Sequence, residues 1–268
     1  MKLLEILRKR GASLADPESV KETIALQDHW SKGTKYQTVQ AYSKFAKLNG
    51  IEWTAPKYRR ARKKPFIPLE KELDALIASC GKKTATTLQL LKETAMRIGE
   101  ALRLDWIDVD SERNCVTVND PEKNGTSRQI EVSNKLLAML NRLPKKNNKV
   151  FGGITAKGAS SNFYLQRKKA AFKLQNPRLK RITFHTFRHW KATMEYHKTK
   201  DILHVMRLLG HRDINTTLIY THLVSFKSDE YHVATAKTKK EKTQLLSEGW
   251  KFEFQDRTDG LIYFAKRK

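Results

Sequence analysis

Cysteine is almost absent from this chain. Of 268 residues only Cys80 and Cys115 carry a thiol, far apart in sequence and in no CxxC pair. That argues against a disulfide framework or a zinc site, and a reducing compartment fits. Long apolar runs are missing too: no stretch reaches the roughly 18 residues a bilayer-spanning helix needs. The opening residues, MKLLEILRKR, lack the apolar core and small-residue cleavage site of a signal peptide, so the expected location is cytoplasmic. No nucleotide-binding glycine loop and no internal repeat is present. Acid is scarce beside base, with 28 Asp and Glu against 53 Lys and Arg, a net charge of +25 and a pI near 10.0. Such an excess calls for a polyanionic partner, DNA or RNA. A ribosomal or chromatin protein can be equally basic without any chemistry. The 39% of hydrophobic residues and the length suffice for two modest domains, each with its own core.

The richest stretch is Phe184 to Leu223, FHTFRHWKATMEYHKTKDILHVMRLLGHRDINTTLIYTHL. His185 and Arg188 lie one helical turn apart and project from one face. Ile202, Leu203, Val205, Met206, Leu208 and Leu209 form an apolar helix that Asp201 can cap and Gly210 can end in a left-handed conformation. His211 then sits just past a helix end. Asp213 or Asn215 can cap a further helix carrying Leu218, Ile219 and Tyr220, close enough for His211 and Tyr220 to face one pocket. The plainer alternative is a helical core with satisfied histidines and a packing tyrosine. His189 and His222 read as supporting or surface histidines.

Upstream, residues 1–58 read as a small helical bundle. Leu3, Leu4, Ile6 and Leu7 form one face, Asp16-Pro17 starts a helix to about Trp30, and Thr34 to Leu48 forms another with Val39, Tyr42, Phe45 and Ala46 as its stripe. KYRRARKK, Lys57 to Lys64, carries six basic residues in eight positions without an apolar face. It reads as a linker that neutralises phosphates, or as a plain tether. Pro68 is expected to open a helix closed by Gly81, followed by a helix from Thr84 to Thr94. Arg97 then stands among apolar neighbours, where it needs an anion; Glu100 is in reach. Cys115–Val118 and Arg128–Val132 alternate as a hairpin with Lys123 at its tip beside Asn124-Gly125. Helices are expected over Asn134–Leu143 and Ser160–Leu174, with Lys149 to Phe151 extended between them. Residues 226–247 read as polar and partly helical. Trp250, Phe252 and Phe254 alternate, as do Leu261 and Tyr263, which predicts a two-stranded hairpin that must pack on something.

The pattern H-T-F-R-H, then L-L-G-H, then Y-T-H resembles the active-site block of the tyrosine recombinases, the phage-integrase family. T-A-M-R-I-G-E-A-L-R-L-D-W resembles the segment carrying that family's first catalytic arginine, and K-N-G-T-S-R resembles its lysine loop. The resemblance implies a mainly α fold with a small β-hairpin or sheet (α+β). It implies an N-terminal helical core-binding domain over 1–58, a basic linker over 59–65, a catalytic domain over 66–225 and a tail over 226–268. It implies catalytic roles for Arg97, Lys123, His185, Arg188, His211 and Tyr220, with Glu100 in support. Arg59, Arg60, Arg62, Lys63 and Lys64 are expected to touch DNA. The implied activity is site-specific recombination of double-stranded DNA through a covalent 3′-phosphotyrosine, with no metal, cofactor or ATP, within a synaptic tetramer. A type IB topoisomerase or tyrosine transposase shares this chemistry. A non-catalytic DNA-binding accessory protein is the rival of another class.

Overall fold

A computed structural model of the chain describes residues 2–59, 64–223, 231–255 and 260–267. The chain divides into two compact units, Met1–Lys64 and Pro65–Lys268. Arg60, Arg62 and Lys63 of the basic stretch lie outside the described residues, while Arg59 and Lys64 are exposed.

The first unit is helical. Helices α1 (Lys2–Lys9), α2 (Pro17–Ala25) and α3 (Lys32–Leu48) surround a core of Leu7, Val20, Ile24, Val39, Tyr42 and Ala46. Tyr42 is fully buried because its hydroxyl reaches the Leu14 carbonyl (2.9 Å) and its ring meets Trp53 edge-on at 4.6 Å. Asp16 caps α2 as its spacing predicts. The helix stops at Ala25, not Trp30. The Gln27 side chain takes the Thr23 carbonyl (3.0 Å) and the Lys35 ammonium takes the Ala25 carbonyl (2.8 Å), so the final carbonyls are satisfied without another turn.

The second unit begins with α4 (Glu70–Ala78) and α5 (Lys82–Thr94). The first starts at Glu70 rather than Pro68, and Gly81 does not close it. Gly81 instead precedes the first turn of α5 in an extended conformation. Nearly every α5 residue from Ala85 to Thr94 is buried, so this helix is the centre of the unit. Its buried Lys92 is matched by Glu70 (2.9 Å) and Asp74 (2.6 Å). Next come α6 (Ile98–Arg103) and strands β1 (Val109–Asp110), β2 (Cys115–Val118) and β3 (Arg128–Glu131). The strands form an antiparallel sheet, β1-β2-β3, one strand wider than the predicted hairpin. Helices α7 (Asn134–Asn141) and α8 (Ala156–Lys173) follow. Between them Lys149 makes only an isolated bridge to Asp105, not an extended segment. Helices α9 (Phe184–Thr199) and α10 (Ile202–Leu209) pack on each other, and α9 lies along α5.

Two expectations after α10 are corrected. The helix expected after Asp213 is a pair of 3-10 turns, Ile214–Thr216 and Leu218–His222, the first capped by the Asp213 carboxylate on Asn215 N–H (2.9 Å). Further on, Tyr231–Ala236 is a strand, β4, where the polar composition suggested helix. Helix α11 (Lys239–Ser247) and strands β5 (Lys251–Gln255) and β6 (Ile262–Arg267) follow it. The expected hairpin β5–β6 is present, and β4 completes a three-stranded antiparallel sheet in the order β4-β6-β5. That third strand supplies the partner a lone hairpin lacks.

Candidate active site

Two helix ends build the centre of the site. Helix α5 ends at Ala95, whose left-handed backbone (φ 55°) turns the chain sharply toward Arg97. Helix α10 ends at Gly210 (φ 64°), as the sequence predicts. A Cβ at Gly210 would lie 2.9 Å from Arg128 Nη1 and 3.1 Å from the Thr126 carbonyl, so both its backbone conformation and the close approach of the β2–β3 loop call for glycine. Both helix ends aim a terminal carbonyl at Arg188. Its Nη1 donates to the Ala95 oxygen (2.6 Å), and its Nη2 donates to the Leu209 oxygen (2.7 Å) and to His211 Nε2 (3.1 Å). Arg188 is 1% exposed. Its hydrogen bonds go to the negative ends of two helices and to His211, while the Glu100 carboxylate favours its charge from a distance. Burial and then the neighbouring Arg97 lower its pKa to about 10, so it remains charged at neutral pH.

Arg97 is held differently. Its Nη1 pairs with Glu100 Oε1 (2.9 Å) and donates to the Glu122 carbonyl (3.2 Å). The Glu100 side chain is fully buried, and its second oxygen pairs with Arg128 Nη2 at 2.6 Å. It also accepts the backbone N–H of Arg97 and Glu122. Burial opposes its charge, but Arg128 and these hydrogen bonds outweigh it and bring its pKa down to about 2. Arg128 went unnoticed in the sequence although a signal existed. It shares the inward face of β3 with Ile130, and an arginine there needs a buried anion.

Backbone contacts that dock the β2–β3 loop include Glu122 N–H on Glu100, the Glu122 carbonyl on Arg97, the Asp120 carbonyl on Arg103 (3.1 Å) and Thr126 N–H on the Gly210 carbonyl (3.3 Å). Lys123 sits exposed within it at φ 56°. Desolvation first, then Arg188, Lys123 and Arg97, depress the pKa of His185. His185 lies at the rim. His211 is lowered to about 4 by burial first and by Arg188 next, so it is neutral at pH 7. Its Nδ1 faces Thr217 Oγ1 at 2.9 Å.

Tyr220 is 3% exposed, and desolvation raises its pKa to about 12 against the opposing pull of Arg188 and Arg97. Its hydroxyl meets Nδ1 of His189 at 3.0 Å. His189 is therefore not the peripheral histidine its sequence position suggested. It stands one turn after His185 on α9, with the two rings edge-on at 4.4 Å. Arg97, Lys123, His185, Arg188, His211 and Tyr220 thus lie in one unit within electrostatic reach of one another, with Glu100 paired to Arg97.

Residues 69–227 match the model of the phage integrase family. The chain belongs to that family. Among curated members, tyrosine recombinase XerA of Saccharolobus solfataricus is 30% identical over 174 residues, covering 63% of this chain and 55% of that protein. ICEBs1 integrase of Bacillus subtilis is 25% identical over 173 residues, covering 55% and 46%. The chain spans about half the length of the curated relatives it matches. The integrase fold extends over most of the chain. A structure of the Tn1549 transposon integrase with transposon right-end DNA superposes with a TM-score of 0.66 at 15% identity, covering 92% of this chain and 91% of that one. A lambda integrase dimer bound to a COC′ core site gives 0.65 at 14%, covering 86% and 89%. Among the described residues of this integrase-family chain, no helix is long and apolar enough to cross a membrane.

Proposed function

We propose that the chain is a site-specific DNA recombinase that cuts and rejoins strands through Tyr220. One observation carries this reading: a buried tyrosine lies in the field of two arginines whose positions are fixed by independent supports. Attack on a phosphodiester builds negative charge on the non-bridging oxygens, and preorganised guanidinium groups aimed at that charge are usually the main catalytic contribution. Arg97 and Arg188 fill this role, and His211 donates to a phosphate oxygen. Lys123, on a loop tip, protonates the departing 5′ oxygen. Tyr220 is left esterified to the 3′ phosphate, which conserves the ester so that rejoining needs no ATP. Glu100 and Arg128 keep Arg97 in place.

The basic stretch around Arg59, Arg60, Arg62, Lys63 and Lys64 is assigned to the DNA backbone, in keeping with the net charge of +25. The core-binding role of residues 1–58, the catalytic role of 66–225 and the tail role of 226–268 belong to the same reading. So does assembly as a synaptic tetramer in a reducing, DNA-containing compartment. The Tn1549 integrase is in complex with transposon right-end DNA and the lambda integrase is bound to a COC′ core site, which supports double-stranded DNA as the partner here.

The test begins by recovering a target from random duplexes by binding selection, then nicking it as a suicide substrate. The full chain should form a covalent adduct that survives denaturation, in excess EDTA and without nucleotide. Tyr220→Phe should bind the duplex and form none. Binding with no adduct from the wild-type chain would leave only the accessory-protein reading. Relaxation of supercoiled plasmid without strand exchange would favour the topoisomerase alternative.

A further inference from the structure

The hydrogen-bond partner of the Tyr220 hydroxyl is His189, not His185. We propose that His189 accepts the phenolic proton as Tyr220 attacks phosphorus and returns it on rejoining. This rests on the reading of Tyr220 as nucleophile.

The geometry is direct. Nδ1 of His189 is 3.0 Å from the reacting oxygen, within the range a general base requires, whereas His185 meets the His189 ring rather than the hydroxyl. Helix α9 fixes the ring's root. His189 lies between the buried Arg188 and Trp190, and its carbonyl accepts from Thr193 Oγ1 at 2.8 Å. With the hydroxyl donating to Nδ1, the neutral ring carries its proton on Nε2, the tautomer a base at Nδ1 needs.

Charge fits this assignment. Burial, then His185 and Arg188, hold His189 down to about 4, so at neutral pH its lone pair is free. Tyr220 is held up to about 12. The gap is too wide for a free phenolate to form first, so the proton moves as the oxygen–phosphorus bond forms. An entering phosphate brings negative charge beside Arg188 and favours the imidazolium. The charged and titratable groups acting on this pair are His185 and Arg188 of α9, and Arg97, which acts on Tyr220 from the turn after α5.

The step balances. The Tyr220 oxygen–phosphorus bond forms and the bond from phosphorus to the 5′ oxygen breaks. The phenolic proton passes to His189 Nδ1, and the 5′ oxygen takes a proton from Lys123. Rejoining runs the same transfers backward.

The test uses the full chain on the nicked duplex, comparing wild type, His189→Ala and His189→Gln in single turnover between about pH 6 and 9. Glutamine can still hold the hydroxyl but cannot take its proton. Both variants should bind DNA as wild type does and cleave roughly a hundredfold slower at neutral pH. Their rates should climb with pH more steeply than the wild type's, as hydroxide replaces the missing base. A 5′-bridging phosphorothiolate, whose sulfur leaves without protonation, should rescue Lys123→Ala but neither His189 variant. Wild-type rates in His189→Ala, full recovery in His189→Gln, or rescue by the sulfur substrate would each overturn the assignment. A wild-type chain that makes no adduct fails at the earlier step, in the reading of Tyr220 itself.

Discussion

Arg97 and Arg188 feel each other's charge in one site but are held by different means. Arg97 depends on a buried carboxylate, Glu100, which it shares with Arg128. Among the described residues no acid is hydrogen-bonded to Arg188; two helix termini supply carbonyls instead. The acid-supported side can be weakened by protonation. The carbonyl-supported side cannot, because peptide oxygens do not titrate at ordinary pH. In exchange, the carbonyl support demands a donor of fixed, forked shape.

Arg188→Lys tests that demand and should have the largest effect. An ammonium keeps the charge but cannot span two carbonyls and a histidine in one plane. Cleavage should fall by roughly a hundredfold to a thousandfold in single turnover, the scale of losing one preorganised donor. Thermal stability should fall as well, by about 1–3 kcal/mol, for the carbonyl left short of a donor. An unchanged melting temperature would mean the helix ends do not rely on this side chain. Unchanged cleavage would remove Arg188 from the chemistry.

Glu100→Gln probes the other side. Glutamine fills the same space without charge, leaving Arg97 and Arg128 buried beside no anion, at a cost of about 3 kcal/mol. The wild type carries a related signature. Glu100 has a folded pKa of about 2 against an ordinary value of 4.5. Its contribution, about 3 kcal/mol, is complete above pH 4.5 and is lost as pH falls toward 2. Chemical denaturation across that window should show this loss in the wild type and a reduced one in the variant. Identical acid limbs would show that Glu100 is not the group responsible.

Much of this site was legible in the sequence because it rests on short-range rules. His185 and Arg188 share a face by helical period, Asp201 and Gly210 mark the two ends of α10, and Arg97 demands Glu100 by charge. What stayed hidden depended on long-range contacts. His189 occupies the turn after His185, and only the folding of the last 3-10 turn against α9 brings Tyr220 to it. The carbonyls of Ala95 and Leu209 have no side-chain signature. Arg128 was visible in principle, by the same burial argument that found Arg97. In the tail, Phe252 and Tyr263 announced a hairpin by alternation. Strand β4 did not, because Tyr231 to Ala236 gains its strand conformation from pairing with β6 rather than from its own pattern.

A smaller effect separates the two sides further. Thr217 is fully buried, and its hydroxyl faces His211 Nδ1 at 2.9 Å. In this structure Arg188 donates to His211 Nε2, so the ring's proton sits on Nδ1 and is given to Thr217. To donate to a phosphate, His211 must carry a proton on Nε2 instead. A hydroxyl both accepts and donates, so Thr217 can turn round and serve either tautomer. Valine has the same shape but no such capacity. Its backbone would still accept the Tyr220 N–H (3.0 Å), so the turn carrying the tyrosine should survive. Thr217→Val should therefore bind DNA normally and cleave about tenfold slower, in the range expected for an outer partner of a working histidine. Serine at this position keeps the hydroxyl and should restore most of the rate. If serine is as slow as valine, the loss comes from packing and Thr217 does not set the tautomer. If valine cleaves at the wild-type rate, the hydrogen bond to His211 is incidental, and the carbonyl-held Arg188 alone governs that side of the pocket.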